Sequence, residues 1–143
     1  VSTLDFVAQH YLKRGIQDPF LVVLETKRSD FYAQLFDQRG VALIDPIAAY
    51  AGDILDYCTS YEFSVGGDSI ERFLVESQLS KEHFLDPVLL PDPLLLCEVA
   101  LEIFDDYYET SGQDHDPTPL YLREADVSQP KFLSRVLETT DLL

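Results

Sequence analysis

The stretch FLVVLETKRSDFYAQLFDQRGVALI, residues 20–44, decides how the rest of the chain is read. Phe20 to Leu24 is a continuous apolar run, Phe31 to Phe36 a second run rich in aromatics, and Val41 to Ile44 a third. β-branched and aromatic runs of this length predict strands. Glu25-Thr26-Lys27-Arg28-Ser29-Asp30 is a polar connection of hairpin length, and Asp37-Gln38-Arg39-Gly40 carries turn residues. The prediction is a three-stranded antiparallel meander.

Around it the pattern turns helical. Upstream, Ser2 with Asp5 three residues on reads as an N-cap, and Leu4, Val7, Ala8, Tyr11 and Leu12 follow at helical spacing up to a Lys13-Arg14-Gly15 stop. Downstream, Asp45-Pro46 reads as an N-cap with proline at the first helical position. Ile47, Ala51, Ile54, Leu55 and Cys58 then share one face. Tyr61 to Val65 alternates like a half-buried strand, and Gly66-Gly67-Asp68-Ser69 turns into a helix over 70–76. A shorter helical turn is expected over 80–85, followed by proline-broken chain from Asp86 to Pro93. A long helix should run from Asp92 to about Glu109, with Leu96, Ala100, Ile103, Phe104 and Tyr107 on one face. After the polar loop 110–119, Leu120-Tyr121-Leu122 is a short extended segment, and the tail holds a weakly helical stretch over 132–137.

This β-β-β-α-β-α order is that of a ribonuclease H-like half-domain, the building block of actin-like folds. The fold class expected is therefore α/β, a mixed sheet with an antiparallel triplet flanked by helices. The 143 residues form one domain, with a core over about 1–127 and a tail over 128–143.

Composition narrows the function classes. Twenty-six acidic residues against ten basic ones give a formal net charge of −16. That opposes the counterion release behind autonomous binding to nucleic acid or an anionic membrane surface. No apolar run is long enough for a membrane span, and no secretory leader pattern opens the chain, so the expected home is cytoplasmic. Cys58 and Cys97 read as buried free thiols rather than as a disulfide. Opening on Val1 and lacking methionine, the chain reads as processed or as a piece of something longer.

Motifs for chemistry are sparse. His10, His83 and His115 are far apart and no HExxH occurs, so no zinc set is assembled; His115 between Asp114 and Asp116 reads as a solvated turn. Glu98, Glu102, Asp105 and Glu109 line one helix stripe and read as its exposed face. Lys13-Arg14 and Lys27-Arg28 read as surface charges. Gly66, Gly67 and Asp68 stand before a helix, where backbone N–H groups could face a phosphate, and are weak candidates for a nucleotide-facing loop. They lack both the GxGxxG pattern and the P-loop lysine, Asp68 adds a charge that would repel an anion, and a tight structural turn accounts for them better. No catalytic residue, metal site or cofactor is assigned.

Three segments, taken in order, resemble the bacterial TsaB family. They are Val1-Ser2-Thr3-Leu4, the run from Val22 to Phe36, and Pro119-Leu120-Tyr121-Leu122-Arg123 followed by Val127. Phe63 to Asp68 lies where that family has a strand ending in a Gly-Asp turn. The family's hairpin often reads Asp-Ala-Arg-Arg-Gly, whereas this chain has Glu25-Thr26-Lys27-Arg28-Ser29, so nothing tied to that glycine is carried over.

The resemblance implies the C-terminal lobe of a two-lobed actin-like protein. It further implies a non-catalytic partner in tRNA N6-threonylcarbamoyladenosine biosynthesis, acting with a TsaD-type catalytic subunit and a TsaE-type ATPase. Contact with tRNA would be indirect, there would be no membrane role, and a homodimer is possible. The alternatives are a lobe of an actin-like phosphotransferase or glycoprotease-type enzyme whose site lies in another lobe, and an acidic interaction module unrelated to tRNA.

Overall fold

A computed structural model describes residues 2–88, 92–109 and 119–123. Its centre is a four-stranded mixed sheet. Strand β1 (Phe20–Glu25) pairs antiparallel with β2 (Phe31–Phe36), with Phe20 opposite Phe36 and Glu25 opposite Phe31. Strand β3 (Ile47–Ala49) pairs antiparallel with the start of β2, and β4 (Ser64–Gly67) runs parallel to β1, giving the order β3-β2-β1-β4. Beyond β4 the chain continues the sheet edge. Phe84 bridges Val65 in parallel, and the N–H groups of Leu85 and Val88 donate to the carbonyls of Val65 and Gly67 at 2.8 and 3.0 Å.

β1 is central and apolar at five consecutive positions because both of its faces are covered. On one face, Leu21, Val23, Phe31, Ala33, Leu35 and Val65 pack against helices α2 (Ala51–Tyr57) and α3 (Ile70–Ser77) through Ala51, Ile54 and Phe73, with Cys58 just past α2. On the other, Phe20, Val22, Leu24 and Phe36 pack against α1 (Thr3–Lys13) through Leu4, Val7, Ala8 and Tyr11. Outside α1 lies α4 (Pro93–Glu109), seated by Leu95 and Val99 on Phe6. The fold is the ribonuclease H-like α/β arrangement, a mixed sheet with its antiparallel triplet between helical layers.

α1 begins as its sequence indicates. Ser2 Oγ accepts the Asp5 N–H at 3.1 Å while the Asp5 carboxylate accepts the Ser2 N–H at 2.8 Å, a closed capping box.

Four readings need correction. The third strand is not Val41–Ile44 but Ile47–Ala49. Ala42 makes an isolated bridge to Phe36, and between that bridge and the Ile47–Ala33 pair four residues of this segment oppose two of β2. The surplus residues bulge around Pro46, which has no N–H to offer a ladder. The helix expected from Asp45-Pro46 consequently starts only at Ala51, because strand pairing claims Ile47–Ala49 first.

The strand expected over 61–65 is Ser64–Gly67, so the two glycines belong to the sheet and not to a turn. On α4 the packing side chains are Leu95 and Val99, while Leu96, Ala100 and Phe104 are exposed. The stretch 132–137 and the tail 128–143 lie outside the described residues.

Candidate functional site

The polar residues that the meander cannot bury gather at the end of the sheet where β1 leaves and β2 enters. Glu25, the last residue of β1, holds the hairpin shut. Its carboxylate accepts the Lys27 N–H at 2.8 Å and the Ser69 hydroxyl at 3.1 Å. Arg72 of α3 binds it with two nitrogens, Nε to Oε2 at 3.1 Å and Nη2 to Oε1 at 2.9 Å. The same guanidinium donates to the Asp30 carbonyl at 2.8 Å and lies 3.7 Å from the centre of the Phe31 ring.

Planar, forked donation with an aromatic face beneath is what arginine supplies and lysine does not. Desolvation raises the Glu25 carboxyl, but the hydrogen bonds from Lys27, Ser69 and Arg72 and the Arg72 charge outweigh it. The group is held below the ordinary glutamate range.

Asp30, at the other foot of the hairpin, is tied as firmly. Thr26 Oγ1 donates to its carbonyl and carboxylate at 2.8 Å each, and Arg123 forms an ion pair with its carboxylate. The Arg123 guanidinium also sits 5.7 Å from the centre of the Tyr32 ring. The two hairpin carboxylates are thus each closed by an arginine from elsewhere in the chain, Arg72 from α3 and Arg123 from the segment after α4.

Beside Arg123 opens a cleft of about 660 Å³ lined by Ser2–Asp5 of the α1 start, Leu24, Tyr32 and Pro119–Leu122. Leu120 and Tyr121 are largely exposed there, at 57% and 81%. The three segments that carry the family resemblance, more than a hundred residues apart at their extremes, meet around this one cleft.

The weak nucleotide-loop candidates have other partners. Gly66 lies under the Tyr11 ring, where an added Cβ would stand 2.5 Å from ring carbons. Gly67, at φ +122°, passes so close to β1 that a Cβ would fall 1.9 Å from the Val23 carbonyl oxygen. Its N–H donates to the Tyr11 hydroxyl at 2.8 Å, which in turn donates to the Asp86 carbonyl at 2.8 Å. Asp68 Oδ1 accepts the Glu25 N–H at 2.8 Å. These three positions join β4 to β1, α1 and the 84–88 edge. The glycines serve close backbone approach.

Of the remaining candidates, Lys13 pairs with Glu98, and both are substantially exposed. Cys58 is buried, and desolvation pushes its thiol up to about 11. Cys97, expected to be buried, is exposed, because the packed stripe of α4 runs through Leu95 and Val99 instead. His115 and its aspartates lie outside the described residues. Among the described residues no three His, Cys, Asp or Glu side chains converge as a metal would need, and no helix is long and apolar enough to cross a membrane.

Arg72, Asp30 and Arg123 were not singled out as site residues by sequence reasoning. An isolated arginine gives no local signal; only the unpaired Glu25 and Asp30 at a hairpin's feet could have pointed to it.

No family model matches the chain, and the curated proteins give no match. Among solved structures it is similar to a protein from Pseudomonas aeruginosa described as uncharacterized with similarity to peptidase YEAZ. The TM-score is 0.63 and the identity 17%, covering 86% of this chain and 57% of that one. The likeness establishes a shared fold, and the chain spans a little over half the length of that protein.

Proposed function

We propose that this chain is a lobe of a TsaB-like protein, TsaB being the family to which YeaZ belongs. In this reading it acts as a non-catalytic partner of a TsaD-type catalytic subunit and a TsaE-type ATPase in forming N6-threonylcarbamoyladenosine on tRNA. One observation carries the reading: three segments distant in sequence, each resembling that family, line one cleft on a fold that a YeaZ-like protein shares. The hairpin carboxylates support it. Engaged by Arg72 and Arg123, Glu25 and Asp30 act as struts that fix surface shape rather than as open acids or bases.

The charge of −16 fits a subunit that leaves tRNA contact to a basic partner, since complementary charge speeds encounter and orients docking. The test is reconstitution with the full-length gene product, TsaD-type and TsaE-type subunits, tRNA, threonine, bicarbonate and ATP, with the enzyme that makes threonylcarbamoyl-adenylate. Modified adenosine should form with this protein present and drop at least tenfold without it. Equal yield in its absence would sink the proposal.

A further inference from the structure

Helix α4 is seated on α1 through a small set of side chains. Leu95 and Val99 pack on Phe6, and Lys13 forms an ion pair with Glu98. Phe6, His10 and Lys13 follow one another at i, i+4 and i+7, so they share one stripe of α1, and His10 stands between the two places where α4 is held. Its Nε2 is fully buried, and no group among the described residues hydrogen-bonds it. A neutral imidazole can keep its proton on Nδ1 and leave Nε2 a bare acceptor. An imidazolium has no such choice: Nε2–H becomes a charged donor, buried and without an acceptor.

The surrounding charges do not repair this. On α1, Arg14 lies one turn beyond His10 and repels a second positive charge, and Lys13 is engaged by Glu98 of α4. At the start of α4, Asp92 attracts the imidazolium, but its carboxylate already accepts the Leu94 N–H at 3.0 Å, and the helix dipole is positive there. The Tyr11 ring lies edge-on at 5.8 Å, with its hydroxyl engaged by the Gly67 N–H and the Asp86 carbonyl. Burial first, then Arg14, hold the imidazole below its ordinary value of 6.5, with Asp92 opposing.

We infer that the α1–α4 seam is an acid-released latch pinned by His10: protonating the imidazole lifts α4 from α1 and bares Phe6, Leu95 and Val99, while the sheet and its other helices stay in place. The layer that opens holds three buried apolar side chains among the described residues, and the clusters on the two faces of the sheet are each much larger, so α4 is the element that yields. Because the folded value lies below 6.5, His10 favours the closed seam fully above that pH. This contribution is lost as pH falls below 6.5 toward the folded value. One pH unit below 6.5 a released imidazole is protonated about ten to one, which caps the rise in the opening constant at about elevenfold.

The experiment is amide hydrogen exchange of the whole chain at about pH 7.5 and about pH 5.5, with rates corrected for the intrinsic pH dependence of exchange. Opening of 95–102 should rise about threefold to tenfold at the lower pH while that of 20–24 changes less. By nuclear magnetic resonance the His10 ring should titrate below 6.5. In His10→Gln and in His10→Leu the extra opening of α4 should vanish. Opening that is unchanged or slower at the lower pH, an equal rise in both variants, or titration of His10 above 6.5 would overturn the inference. Slower opening would mean that the imidazolium closes on Asp92 instead.

Discussion

Removing one oxygen from Tyr11 should destabilise the fold measurably, because that oxygen joins α1 to β4 and to the edge beyond it. Among the described residues the Tyr11 hydroxyl is the one partner of the buried Gly67 N–H, at 2.8 Å, and it donates onward to the Asp86 carbonyl at 2.8 Å. Burial raises the phenol above its ordinary value of 10, so it stays protonated and able to donate throughout the neutral range. In Tyr11→Phe the ring still fills its place under Gly66, but the N–H is left without an acceptor. An orphaned buried donor costs about 1–3 kcal/mol, and the lost bond to Asp86 adds a fraction, giving about 1.5–3 kcal/mol. For a domain of this size that is a fall in Tm of about 4–9 °C.

Urea denaturation should show the midpoint falling with m unchanged. Tyr32→Phe removes a hydroxyl that makes no hydrogen bond among the described residues and should stay within about 0.5 kcal/mol of the parent. A loss below about 0.5 kcal/mol for Tyr11→Phe, or equal losses for the two, would refute the reasoning.

Gly67→Ala combines a φ of +122° with a Cβ 1.9 Å from the Val23 carbonyl oxygen. It should cost about 3 kcal/mol or more, or prevent folding. Gly15→Ala, at φ +80° with open space around it, should cost only about 1 kcal/mol by the same denaturation assay. Arg72→Leu removes both bonds to Glu25 and the bond to the Asp30 carbonyl. It should destabilise by about 1.5 kcal/mol or more, and amide exchange over 25–31 should quicken while that of 20–24 changes less. Because Glu25 titrates below its ordinary value of 4.5 in the folded state, its stabilisation is complete above that pH and is lost as pH falls through the lower folded value. Glu25→Gln should therefore show a shallower acid slope below pH 4.5, and an unchanged slope there would count against the strut role.

Residues 20–36 were legible because both faces of β1 are covered: a strand buried on two sides must read as an unbroken apolar run. α1 was legible from a closed capping box written within four residues. The failures were places where a local signal met a longer-range competitor. Asp45-Pro46 is a sound helix start, yet Ile47–Ala49 gain more from the free edge of β2. Gly66-Gly67 look like a turn, yet they end a paired strand where the Tyr11 ring and the β1 backbone leave no room for a side chain. On α4, with apolar residues on most of its circumference, spacing alone could not choose between the stripe of Leu95 and Val99 and its neighbours. Of the candidate site, the segments around the cleft were visible as resemblances, whereas the arginines that close its carboxylates became visible only in three dimensions.

The account turns on a partner, and the direct measurement is binding of the full-length gene product to a purified TsaD-type subunit from the same cell, followed by isothermal calorimetry and sedimentation. The account predicts a saturable complex of defined stoichiometry that forms without tRNA. No complex at tens of micromolar of each protein, or tight ATP binding and turnover by the product alone, would contradict it.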